Sequence, residues 1–128
     1  IGEFDWLILA APSTADTQAM IGAAELAAMK PGAWLINIAR GDMVDQPALI
    51  AALEARRIGG AFLDVTDPEP LPPDHPLWTA PNTIHSMHLS GRSTQRMFAR
   101  ATALFVENCN AFMAGRPMRN IVDLDAGY

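Results

Sequence analysis

Four short apolar runs, the last three each followed within a few residues by a polar side chain of chemical interest, limit what this chain can fold into. They are residues 4–11, 33–38, 60–63 and 83–87. Runs this short and this continuous suit strands buried on both faces, the mark of a parallel sheet rather than of an alternating antiparallel one. The segments between them have a different texture. Residues 21–29 (IGAAELAAM) are rich in Ala and Leu and predict a helix ended by Lys30-Pro31-Gly32. Asp45 is placed to cap a second helix with Pro47 in its first turn, Leu49, Ile50 and Leu53 on its apolar face, Arg56 and Arg57 at the negative end of its dipole, and Gly59 as a left-handed stop. The small residues opening the 60–63 strand predict a helix packed closely over them. A long helix is expected over 93–114, with Met97, Ala101, Leu104, Phe105 and Phe112 on one face and Gly115 and Pro117 closing it. Thr14 or Asp16 could cap a short helical segment, and a short extended piece is expected at 120–122. Six of the ten prolines fall within 66–81, which predicts an extended loop there. The order is that of an α/β fold.

In an open parallel sheet, ligands bind in the crevice beyond the carboxyl ends of the strands. Arg40, Asp64, Glu69 and His88 all fall at such ends, so a cation, two carboxylates and an imidazole are expected to converge there. A histidine paired with a carboxylate can hold and deliver a proton near neutral pH. An arginine offers a planar, two-pronged grip for a carboxylate. Arg40, Glu69 and His88 therefore suit proton delivery to a carbonyl beside a carboxylate, as in reduction of a 2-oxo acid, for which a nicotinamide cofactor would supply the hydride. The residues alone leave a plainer reading open: a satisfied histidine at a strand end, a solvated glutamate and an arginine in a helix-side ion pair.

Composition narrows the field. At 128 residues the chain has the size of one domain, and a formal charge of −5 offers no basic face for nucleic acid or an anionic membrane. The single Cys109 provides no disulfide framework and fits a reducing compartment. No stretch approaches the ~20 apolar residues of a membrane helix, so the expected location is cytoplasmic. No His, Cys or acidic pair has metal-ligand spacing. His75 and His85 read as structural or solvated, Trp78 as an anchor for the proline loop, and Cys109 as a packing residue. The chain opens on Ile1 and almost at once enters a strand, which reads as part of a longer polypeptide.

Asn37-Ile38-Ala39-Arg40-Gly41, then residues 60–65 (GAFLDV), then Glu69-Pro70-Leu71 with Pro76-Leu77-Trp78, then His88-Leu89-Ser90-Gly91, resemble in sequence and order the D-isomer-specific 2-hydroxyacid dehydrogenase family. The resemblance implies the second half of a doubly wound, Rossmann-like NAD(P)-binding domain over residues 1–92, and over 93–128 a C-terminal helix and tail crossing back towards a substrate domain that this chain lacks. It implies that Arg40 binds the substrate carboxylate, that Glu69 pairs with His88, and that His88 exchanges the proton. Asp64 would hold the nicotinamide carboxamide. Ala11, Pro12 and Thr17 would line the adenosine side of NAD or NADP, with Ile38, Ala39, Arg40, His88 and Gly91 near the nicotinamide. A homodimer is implied as well. The alternatives are a non-catalytic NAD-binding regulatory or interaction module on the same fold, or a structural piece whose function lies only in the longer polypeptide. Two departures stand out. Met87 occupies the place of the family's usual proline, which should alter the local backbone or pocket wall. There is also no Gly-x-Gly-x-x-Gly anywhere in the chain.

Overall fold

The computed structural model describes residues 1–91 and 96–126. Its contacts divide into two compact units, residues 1–90 and residues 91–128. The first is a four-stranded parallel sheet in the order β1-β2-β3-β4, with strands β1 (Trp6–Leu9), β2 (Trp34–Asn37), β3 (Gly60–Leu63) and β4 (Thr83–His85). Helix α1 (Ala23–Ala28) joins β1 to β2, and helix α2 (Gln46–Glu54) joins β2 to β3. A 3-10 turn at Pro76–Trp78 is the one helical piece in the proline loop among the described residues.

One face of the sheet is the core. Leu9, Leu35, Ala61 and Leu63 pack with Leu26 of α1 and with Leu49 and Leu53 of α2. The other face is bare, contrary to the expectation of strands buried on both sides. The register sets Trp6, Trp34 and Gly60 in one row and Ile8, Ile36, Phe62 and Ile84 in the next. Trp6 and Ile8 are 62% and 56% exposed. Within residues 1–90, α1 and α2 pack together on the same face of the sheet.

Several local expectations are corrected. At Gly60 a Cβ would stand 2.6 Å from the Asn82 carbonyl oxygen and 2.7 Å from the Trp34 indole, so neighbouring backbone and a tryptophan ring, not a helix, crowd it. The left-handed residue after α2 is Arg56, at φ 51°, while Gly59 is required because a Cβ would come 2.3 Å from the Gly32 carbonyl oxygen. Arg56 and Arg57 lie beyond the last turn of α2, and the Arg57 guanidinium donates to the Ala27 carbonyl. Residues 14–19 form turns rather than a helix, tied by bonds from the Thr17 and Gln18 amides to the Thr14 carbonyl. Asp45 caps α2 as expected, its carboxylate accepting from the Ala48 amide at 3.0 Å.

The second unit is built on helix α3 (Arg96–Met113), whose expected first residues, 93–95, lie outside the described residues. Gly115 at φ 63° closes it. Phe105 and Phe112 are exposed, and so is Cys109, which therefore is not the packing residue expected. The tail forms no strand at 120–122; Asn120 turns it with φ 52°.

Candidate functional site

The carboxyl ends of β2, β3 and β4 deliver Arg40, Asp64 and His88. Asn37, the last residue of β2, is 1% exposed. Its side-chain oxygen accepts from the Ala39 amide at 3.0 Å, and its side-chain nitrogen donates to the Arg40 carbonyl at 2.8 Å. This short side-chain bridge fixes the turn that carries Arg40. Gly41 follows because the backbone of Thr66 lies against it; a Cβ would meet the Thr66 carbonyl carbon at 2.0 Å. The turn is also stitched to the segment after β1, through Ser13 Oγ donating to Asp42 Oδ2 at 2.7 Å and the Ala19 amide donating to the Asp42 carbonyl at 2.8 Å.

Arg40 is exposed, and its Nη1 donates to the Ala39 carbonyl at 2.7 Å. Among the described residues its guanidinium makes no ion pair, so the helix-side pairing allowed by the plainer reading is not found. Arg40 and Glu69 line one polar cleft together with Ser13, Gln18, Asp42 and Thr66.

The expected histidine–carboxylate pair is formed. His88 Nδ1 lies 2.7 Å from Glu69 Oε1, with both side chains partly open to solvent. The carboxylate takes Nδ1–H as its donor, which leaves Nε2 as the ring nitrogen free to exchange a proton. Met87 and His88 are both left-handed, at φ 56° and 57°. Proline is held near −65°, so a proline could not take the backbone found at Met87. Two consecutive non-glycine residues in this region cost on the order of 1 kcal/mol each and persist only where the surroundings over-determine them.

The surroundings here are Asp64. Its residue is 2% exposed, at the end of a central strand. Oδ1 accepts from Ser86 Oγ, from the Leu89 amide at 2.8 Å and from the Ser90 amide at 3.0 Å. Oδ2 accepts from Ser90 Oγ at 2.5 Å and from the Ser90 amide at 3.1 Å. Burial pushes the carboxyl pKa up, but the Ser86 and Ser90 hydroxyls and the Ser90 and Leu89 amides outweigh it and hold the value at about 2. Asp64 is therefore a carboxylate at any ordinary pH.

The remaining expected site residues are placed as follows. Ala11 and Pro12 are exposed just past β1, and Ile38 is 41% exposed past β2 beside the buried Ala39. Thr17 Oγ1 donates to the Pro12 carbonyl at 3.0 Å and is thus spent on its own loop. Gly91 opens the second unit, with nothing within 4 Å of where a Cβ would stand. His75 accepts from the Leu77 amide, and His85 meets the Leu77 carbonyl and the Trp78 ring, so both are structural. Trp78 ties the proline loop through Nε1 donating to the Pro72 carbonyl at 2.7 Å. No metal-holding cluster occurs among the described residues. Sequence reasoning missed Asn37, Ser86 and Ser90. The one available signal was position: an amide ending a buried strand, and serines two residues on either side of His88.

Residues 1–90 match the family profile described as D-isomer specific 2-hydroxyacid dehydrogenase, NAD binding domain. The chain belongs to this family. Among similar proteins, the glyoxylate/hydroxypyruvate reductase B of Enterobacter agglomerans is 42% identical over 121 residues, which is 94% of this chain and 37% of that protein. A D-isomer specific 2-hydroxyacid dehydrogenase from Xanthobacter autotrophicus Py2, solved with NADPH and MES, superposes with a TM-score of 0.87 at 40% identity, covering 97% of this chain and 50% of the other. The NADPH-dependent glyoxylate/hydroxypyruvate reductase of Sinorhizobium meliloti, solved with NADP and sulfate, gives 0.89 at 30% identity, covering 99% and 41%. The chain thus spans 37% to 41% of the length of the two first-matched curated relatives. The four-stranded parallel sheet with its helices is the Rossmann-like architecture of this family's NAD-binding domain.

Proposed function

We propose that the protein carrying this chain reduces a small 2-oxo acid to the D-2-hydroxy acid, or runs the reverse reaction, with NADPH or NADH. The observation that carries the reading is the 2.7 Å contact between His88 Nδ1 and Glu69 Oε1 at the strand ends of an NAD-binding domain. Glu69 orients the imidazole and stabilises its charged form; His88 gives the proton to the ketone oxygen from Nε2, or takes it from the alcohol in reverse. Arg40, in no ion pair among the described residues and on the cleft that Glu69 shares, grips the substrate carboxylate and draws electron density from the adjacent carbonyl.

The chain's residues fit a nicotinamide cofactor in part. Exposed Ala11, Pro12 and Ile38 give its flat rings apolar surface at the ends of β1 and β2, and the bound cofactor supplies the hydride. Asp64 is the acceptor proposed for the carboxamide N–H. The phosphates would need a glycine-rich turn from elsewhere in the longer polypeptide. The similarity to NADPH-bound relatives supports NADPH as the first cofactor to try, and the similarity to glyoxylate/hydroxypyruvate reductases supports those two acids, with phenylpyruvate as a bulkier comparison. A cytoplasmic homodimer is part of the same reading.

The test is NAD(P)H oxidation by the longer natural polypeptide against a panel of 2-oxo acids with both cofactors. A clear rate with one acid, lost in His88→Asn while cofactor binding persists, is the expected result. Cofactor binding without turnover of any acid would instead favour a non-catalytic NAD-binding module.

A further inference from the structure

His88 is flanked two residues away on each side by a serine, and both serine hydroxyls end on one buried carboxylate. Ser86 Oγ donates to Asp64 Oδ1, and Ser90 Oγ donates to Asp64 Oδ2 at 2.5 Å. The Leu89 and Ser90 amides add three contacts, and the His88 amide donates to the Asp64 carbonyl at 2.5 Å. Residues 86, 88, 89 and 90 are therefore all tied to Asp64, which is itself held by its amide donating to the Asn37 carbonyl at 2.9 Å. An ionised carboxylate has about four lone-pair directions, and hydrogen bonds to it are the strong, short kind. Serines on an exposed loop ordinarily face water. Two that converge on one buried acceptor, 22 and 26 residues back in the chain, are a clamp.

What the clamp holds is an otherwise unfavourable chain path, with Met87 and His88 both left-handed. On that path the imidazole meets Glu69 at 2.7 Å. We propose that Ser86 and Ser90 are positioning residues for proton transfer: acting through Asp64, their hydroxyls hold the 86–90 loop in the conformation that presents His88 to Glu69. The inference rests on the proposed role of His88, and it adds two residues to which that role assigns nothing. Without the hydroxyls, Asp64 keeps only amide donors, and the loop can relax towards ordinary backbone angles.

The experiment uses the longer natural polypeptide and its Ser86→Ala, Ser90→Ala and double variants, with Ser86→Thr as the hydroxyl-preserving control. The double variant is expected to lose tenfold or more in kcat, with the oxo-acid KM and the NADPH Kd from fluorescence titration within threefold of wild type. Ser86→Thr should recover most of the loss seen in Ser86→Ala. By NMR, the downfield His88 imidazole proton shared with Glu69 should weaken in the double variant. Hydrogen exchange at the Leu89 and Ser90 amides should accelerate at least tenfold, while Leu35 and Ala61 in the sheet stay protected. Unchanged kcat with unchanged loop exchange overturns the proposal. So does a uniform rise in exchange across sheet and loop, which marks a general loss of stability. If the double variant does not fold, the single variants give the same readouts. A wild-type protein without reductase activity would sink the proposed reaction, yet the imidazole signal and loop exchange would still decide whether the serines position His88.

Discussion

At the scale of single residues the site divides into groups that would meet a ligand and groups that hold them. Arg40 belongs to the first: exposed, in no ion pair among the described residues, and mounted on a turn locked by the Asn37 amide. Lysine keeps the charge but cannot copy the two-pronged grip. Arg40→Lys in the longer polypeptide should therefore raise KM for the oxo acid about tenfold or more, within the ~1.5–3 kcal/mol typical of hydrogen bonds to charged groups, and leave NADPH affinity unchanged; steady-state kinetics with a fluorescence titration checks both. Asp64, the proposed carboxamide acceptor, also belongs to the second through its bonds to the 86–90 loop. Its folded pKa of about 2 lies below the ordinary 3.8, so the folded state prefers the charged form. The stability this contributes is complete above pH 4 and is lost as pH falls towards 2. In acid unfolding followed by circular dichroism, Asp64→Asn should flatten that part of the pH dependence while lowering stability at neutral pH. That Arg40, Glu69 and His88 would come near one another was legible in the sequence because each follows a strand end. Ser86 and Ser90 were not, because their partner is 22 and 26 residues away, a distance only the folded sheet closes.

At the scale of elements, local signals worked where the determinant is local. Asp45 followed by Pro47 announces the start of α2, and the structure has the capping bond. Asp45→Ala removes that bond and should cost about 1 kcal/mol, read as a lower urea midpoint with an unchanged slope. The helix's other end shows the limit of such signals. Gly59 looks like a left-handed stop, yet Arg56 takes that conformation, and Gly59 is small for the sake of the Gly32 backbone, in a segment that the sequence separates by 27 residues. Gly60 repeats the lesson, because its smallness answers to the Asn82 backbone and to Trp34 on the adjacent strand. A glycine in the sequence states that space is short but not what fills it.

At the scale of the whole molecule, the parallel sheet followed from four apolar runs separated by helical segments and the proline loop, whereas the strand order did not. The bare face did not, since apolar runs report that a strand prefers two dry faces and say nothing about whether this chain covers both. Rows of Trp6 with Trp34, and of Ile8, Ile36, Phe62 and Ile84, stand open on the first unit. The proposed site has a matching character: a His88–Glu69 pair and an exposed Arg40 without the glycine-rich turn whose backbone amides hold a pyrophosphate. Phosphate contacts carry much of the affinity for such a cofactor, whereas apolar surface at strand ends mainly orients its rings. The 128 residues alone are therefore expected to bind NADPH weakly and to turn over no oxo acid. The longer polypeptide should bind at least a hundredfold more tightly under the same buffer, by NADPH fluorescence. Detectable reduction of glyoxylate or hydroxypyruvate by the 128 residues alone would mean that β1 to β4 and the loops at their ends already make a complete active site.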